Sequence, residues 1–163
     1  MKVLTQARFI AGHGIEGDRY AAGKGSFSEA HGRKGVKDHL TIYSLSDVLK
    51  INALMGRDVS TILRRNLIIE DFPMRAFLEA KLAKITTQDG GFVILKWSSD
   101  CSPCTRPGKT GGVDADKLQQ AMYDYGFGGE RVAIVRAVGS RIVRPGDKVE
   151  IIEDNLPNFS RRR

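Results

Sequence analysis

Leu82-Ala83-Lys84-Ile85-Thr86-Thr87-Gln88-Asp89-Gly90-Gly91-Phe92-Val93-Ile94-Leu95-Lys96-Trp97 is the stretch on which the reading of the fold turns. Two apolar runs flank Asp-Gly-Gly, and Asp-Gly tolerates the positive φ that a tight hairpin demands. Antiparallel strands are therefore expected over residues 82–88 and 92–97. Downstream, residues 131–138, 141–144 and 147–152 read as three further strands. They are joined by Gly139-Ser140 and Pro145-Gly146, turn dipeptides that supply or pre-set the required φ. Upstream, residues 3–10, 39–43 and 66–70 read as strands. A helix capped by Ser44 or Ser46 is expected to run to about Met55, burying Leu45, Val48, Leu49 and Leu54 before Gly56 ends it. Asp58 or Ser60 caps a short turn to Arg64, and residues 73–78 suit a brief helical turn. Asp114 caps a second helix through Tyr125, with Leu118, Ala121, Met122 and Tyr125 on one side and Gly126 after it. Roughly eight short strands with tight turns favour a mainly β (α+β) fold, a closed or nearly closed β-barrel with peripheral helices.

At 163 residues the chain suits one domain, long enough to bury roughly 70% of its unfolded surface. We expect a barrel domain over residues 1–153 and a disordered basic tail over 154–163. Hydrophobic residues at 41% and charged residues at 28% describe an ordinary globular composition. Lys and Arg number 26 against 19 Asp and Glu, but Arg161, Arg162 and Arg163 supply three of the seven net positives. A mildly basic body suits an anionic small ligand in a cleft, and no basic run is interleaved with aromatics, which disfavours nucleic acid. No apolar run approaches the ~20 residues that span a bilayer, and no signal peptide is visible. Cytoplasmic residence with free thiols is the expectation, without a membrane partner.

Asp100-Cys101-Ser102-Pro103-Cys104-Thr105-Arg106-Pro107-Gly108-Lys109-Thr110-Gly111-Gly112 follows the hairpin and holds both cysteines of the chain. Proline fixes φ and glycine frees it, so the stretch reads as an irregular loop. Arg106 and Lys109 stand nearby, and a close cation favours thiolate over thiol. A soft sulfur beside positive charge is a candidate metal ligand or nucleophile; the bland alternative is a buried free cysteine acting as a small hydrophobe. Structural zinc needs four ligands, and His13, His31 and His39 form no second pair. A thioredoxin-like pair opens a helix, which Pro107, Gly108, Gly111 and Gly112 are expected to prevent at the second cysteine. Gly108-Lys109-Thr110 approaches a P-loop, but Pro103 stands where its first Gly belongs. Gly12-His13-Gly14-Ile15-Glu16-Gly17 fits G-x-G-x-x-G, yet Gly23 and Gly25 follow where a helix should run, so a dinucleotide site is rejected. Residues 23–35 read as a long loop carrying His31, and no nucleophile elbow supports Ser/His/Asp catalysis. Arg19, Arg64, Arg65 and Arg106 all lie at element ends, where a barrel carries its ligands, and arginine's fork suits phosphate. Each alone reads equally as a solvated charge, and Asn66 equally as a strand-start residue.

With these residues gathered, the chain resembles the MOSC domain family, named after the C-terminal part of molybdenum cofactor sulfurase. Gly14-Ile15-Glu16-Gly17-Asp18-Arg19 resembles the family's early G-x-x-x-D-R element, and Arg64-Arg65-Asn66-Leu67-Ile68-Ile69 its R-x-N strand. Cys101-Ser102-Pro103-Cys104 resembles its cysteine loop, and Arg141 to Val149 its closing hairpin with a Gly146-Asp147 turn. The resemblance covers Ile10 to Ile152 in the family's order. It implies a β-barrel and a cysteine that ligates molybdenum or carries a persulfide. By its C-x-x-C form, similar to that of amidoxime-reducing relatives, the ligand role falls to Cys104, leaving Cys101 accessory or structural. Arg19, Arg64 and Asn66 would face the pterin and its phosphate, with Arg65 and Arg106 added to this cofactor-binding set. The implied cofactor is molybdopterin-bound molybdenum. The implied activity is either a molybdenum-dependent oxidoreductase acting on N-hydroxylated substrates or a sulfur carrier served by a cysteine desulfurase. A redox partner would serve the first. The pyridoxal-phosphate domain of the larger sulfurases has no counterpart in this chain. A non-enzymatic basic binding domain is the remaining reading.

Overall fold

The computed structural model describes residues 3–18, 21–22, 40–126, 129–139 and 141–153. Arg19, His31, His39 and the tail at 154–163 lie outside the described residues. The chain runs β1 (Ala7–Ile10), β2 (Gly14–Ile15), β3 (Leu40–Ser44), α1 (Leu45–Met55), β4 (Leu67–Ile69), α2 (Met74–Ala80) and β5 (Leu82–Thr86). It continues through β6 (Phe92–Asp100), α3 (Arg106–Gly111), α4 (Ala115–Asp124), β7 (Glu130–Val138), β8 (Ile142–Val143) and β9 (Lys148–Ile151). The strands form a six-stranded sheet, ordered β4-β3-β7-β6-β5-β9, and a three-stranded sheet, β2-β1-β8. Together they make the nearly closed barrel that the turn chemistry predicts. The Asp-Gly hairpin pairs from Leu82 opposite Lys96 to Thr86 opposite Phe92, with Gly90 at φ 79° in its turn.

Register decides which side chains fill the barrel. Ala83, Ile85, Val93, Leu95, Val132 and Ile134 join Phe9 and Ile15 from the small sheet in one buried cluster. A second cluster lies outside the barrel wall, where Tyr43 of β3 meets Val48 and Ile51 of α1, Val59, Leu63, and Leu118, Ala121 and Met122 of α4. All five residues of β3 are consequently buried, Ile42 inward and Tyr43 outward. β3 and β4 run parallel with α1 between them, so one β-α-β unit interrupts a mostly hairpin topology.

Several expectations change. Leu49 and Leu54 of α1 are 56% and 43% exposed; Val48 is buried as expected, and Ile51 joins it on the buried face. Apolar residues lie all round this helix, so its buried face is chosen by the return to β4 rather than by local pattern. Residues 11–13 form the β1–β2 turn, with the His13 N–H donating to the Ile10 carbonyl. The expected irregular stretch after Cys104 contains α3. Pro107 sits in the first turn, where its missing N–H costs nothing. A Cβ on Gly108 would stand 2.5 Å from the Ala115 Cα, and one on Gly111 would strike Ile62. These glycines let a short helix press against α4 and the 59–63 turn, offsetting their poor helix propensity.

Candidate functional site: the cysteine loop and its buried arginine

The loop leaves β6 at Asp100, directly opposite Glu130 of β7. The Cys101 N–H donates to the Gly129 carbonyl at 3.0 Å, tying the loop to the start of β7. Gly129 has φ 87°, and a Cβ there would collide with the Ile42 carbonyl oxygen and the Tyr43 ring. Pro103 is buried and its carbonyl accepts from Gln119 Nε2 of α4 at 3.3 Å. Between these two anchors the residues alternate: Cys101 and Pro103 are buried, Ser102 and Cys104 exposed. The loop therefore holds one sulfur in the protein and offers the other to solvent.

The buried sulfur is held by a residue far away in sequence. Arg64 adopts φ 58°, a left-handed kink that precedes β4. It leaves Arg64 exposed and Arg65 buried. Arg65 Nη1 donates to Cys101 Sγ at 2.9 Å, and its guanidinium carbon lies 6.0 Å from the Tyr43 ring centre. Its Nε is buried without a hydrogen-bond partner among the described residues. Asn66 is committed to the sheet: its Oδ1 accepts from the N–H and Oγ1 of Thr41, at 2.9 and 3.0 Å. That clasp fixes the β3–β4 start, so Asn66 sets the orientation of both arginines. Arg106 opens α3 and is exposed. The structure thus joins Arg65 to Cys101 and leaves Cys104, Arg64 and Arg106 on the solvent side; Arg19 is outside the described residues.

The sequence reading missed Glu130. It is only 5% exposed, and Trp97 Nε1 donates to its Oε2 at 2.7 Å. Burial pushes its carboxyl above the ordinary range; the Trp97 hydrogen bond opposes that, Asp100 adds to it, and Lys81 opposes it. Lys81 Nζ lies 3.5 Å from the Trp97 ring centre, a cation–π contact. One signal in the sequence pointed here: Glu130 is in phase with Val132 and Ile134, the inward residues of β7. Among the described residues no three His, Cys, Asp or Glu side chains gather into a metal-sized group. No helix among them is long and apolar enough to cross a membrane.

The family model for the MOSC domain matches residues 28–150. The chain belongs to the MOSC domain family. Solved structures share the fold. The YuaD protein of Bacillus subtilis superposes with a TM-score of 0.63 at 22% identity, covering 91% of this chain and 85% of that one. YiiM of Geobacillus stearothermophilus gives 0.57 at 13% identity over 75% of this chain and 58% of its own. A hypothetical protein gives 0.60 at 14% identity over 91% and 61%. No curated protein matches the chain. The matched span contains the R-x-N strand, the cysteine loop and the closing hairpin, and excludes the Gly14–Asp18 turn.

Proposed function

We propose that this MOSC domain binds a molybdenum cofactor, with Cys104 as the protein's metal ligand, and serves the reduction of N-hydroxylated substrates. The observation that carries the reading is the division between the two cysteines. Cys104 Sγ belongs to an exposed residue on a loop anchored at Gly129 and Gln119. An exposed soft sulfur suits a high-valent, sulfur-ligated metal. The residues fit the group in charge as well: Arg65 brings to the same loop a buried guanidinium whose Nε has no partner among the described residues, and Arg64 and Arg106 add exposed cations. Arginine forks match the phosphate of an anionic pterin. When bound, the cofactor supplies a two-electron centre. The chain's part is to present one thiolate, to neutralise the phosphate with Arg64, Arg65, Arg106 and Arg19, and to hold the loop's shape through Asn66 and Cys101.

Protein purified from a cofactor-producing host is expected to contain molybdenum and pterin, and the Cys104→Ala variant to lose the metal. Wild-type protein free of both overturns the reading. The exposure of Cys104 also favours a second reading, a sulfur carrier in which Cys104 accepts a persulfide from a cysteine desulfurase. That reading expects the mass of one added sulfur on the Cys104 peptide after incubation with a desulfurase and cysteine.

A further inference from the structure

The outer wall of the barrel gathers Lys84, Lys96, Arg136 and Lys148 on one sheet face. Register defines this face. On one rung Lys148, Thr86, Phe92 and Val138 lie side by side; on the next, Glu150, Lys84, Ile94 and Arg136. Lys96 follows beside Leu82 and Ala133. Alternate residues of the same strands, Val93, Leu95 and Ile85, fill the barrel, so these point outward. Lys84 Nζ and Arg136 Cζ both lie over the Phe92 ring, at 5.5 and 5.4 Å from its centre. Their stems cover Ile94, which is 4% exposed although it faces away from the lumen. Two cations are thus held against one ring.

Among the described residues the anions on these rungs do not balance them. Glu150 is the one carboxylate on these rungs, and Lys148 Nζ engages it at 2.7 Å. Asp89 and Asp147 stand at the hairpin end and are taken up by the turns: Asp89 accepts from Thr87 Oγ1, and Asp147 from the N–H groups of Gln88 and Arg144. A register shift in β7 between the partners of Ile94 and Leu95 leaves Val135 out of the ladder and 43% exposed, and Val138 at the next rung is 42% exposed. Charge is what calls for a partner: four outward cations face one carboxylate on these rungs, and the two exposed valines lie among them.

The geometry points to this face as the docking surface for an acidic protein partner, one whose clustered Asp and Glu side chains meet Lys84, Lys96, Arg136 and Lys148 while apolar groups cover Val135 and Val138. A nucleic-acid strand fits worse, since stacking needs an aromatic face and the Phe92 ring is already covered by two cations. The surface is independent of cofactor loading and goes beyond the reading above. Its placement is nevertheless useful to it: Lys96 precedes the cysteine loop by five residues on the same strand, a run of about 16 Å at strand rise.

Poly-L-glutamate titrated against the full chain, without cofactor, tests the surface. Binding is expected to weaken by about tenfold or more in a Lys96→Glu/Arg136→Glu variant, to fall with added salt, and to change less when Arg161, Arg162 and Arg163 of the tail are made Glu. Lys96→Gln/Arg136→Gln keeps much of each stem and separates charge from folding; it is expected to give an intermediate loss with an unchanged melting temperature. Two results overturn the proposal: binding that depends on the tail and not on the face, or a single-stranded oligonucleotide of equal charge binding more tightly than poly-L-glutamate through the same residues.

Discussion

The two sides of the barrel wall at the cysteine loop each bury one acidic or basic side chain, Glu130 or Arg65, and they treat it differently. On the lumen side Glu130 lies under Ile42 and Trp97, with a neutral indole as its donor. On the helical side Arg65 lies against Tyr43, with a cysteine sulfur as its acceptor. Gly129 and Cys101 join the two through a single backbone hydrogen bond. Glu130 can relieve the cost of burial by taking up a proton, and its raised pKa is that response. Arginine has no such escape, because it stays charged at any ordinary pH. A buried guanidinium with one nitrogen unpartnered among the described residues favours a nearby anion. The helical side is therefore the one that would favour the anionic cofactor proposed above, and Glu130 on the lumen side would not.

The largest expected effect comes from breaking the joint between the sides. Gly129→Ala puts a methyl group against the Ile42 carbonyl and the Tyr43 ring at positive φ. Strain and overpacking together are expected to cost on the order of 3 kcal/mol in urea unfolding. Next comes Cys101→Ala, which leaves Arg65 Nη1 without its acceptor; a loss of about 1–3 kcal/mol is expected, with Cys101→Ser recovering much of it. Recovery by Leu in place of Ser would show that packing, not the hydrogen bond, is at stake. The smallest effect sharpens the lumen side. Because the folded Glu130 carboxyl binds its proton more tightly than the unfolded one, its contribution to stability is fully present below the ordinary glutamate value of 4.5 and is lost as pH rises through the folded value. Wild-type stability is expected to decline across that window, and Glu130→Gln, which keeps an oxygen for Trp97, to remove the decline.

Much of this arrangement was legible before any coordinates, and the rest was hidden for definite reasons. Asp89-Gly90-Gly91 determines its own hairpin through local φ, and Asp114 caps α4 by accepting from the Lys117 N–H, as its position predicts. The barrel follows from such local rules. α3 does not, because Gly108 and Gly111 are read locally as helix breakers, whereas their contacts with Ala115 and Ile62 make them spacers. The face of α1 was misplaced because Leu49 and Leu54 are as apolar as Val48 and Ile51, and only packing on Tyr43 separates them. The pairing of Arg65 with Cys101 spans 36 positions and rests on the left-handed kink at Arg64, which no local preference announces. Adjacent arginines therefore read alike in sequence and end on opposite sides of the surface.

Molybdenum content of protein purified from a cofactor-producing host, compared across wild type, Arg65→Met and Glu130→Gln, tests most directly the proposal that a cofactor binds on the arginine side of the wall. The expected result is metal retained in wild type and in Glu130→Gln and lost in Arg65→Met. Full retention in Arg65→Met, or loss confined to Glu130→Gln, would contradict the assignment of the anion-seeking side.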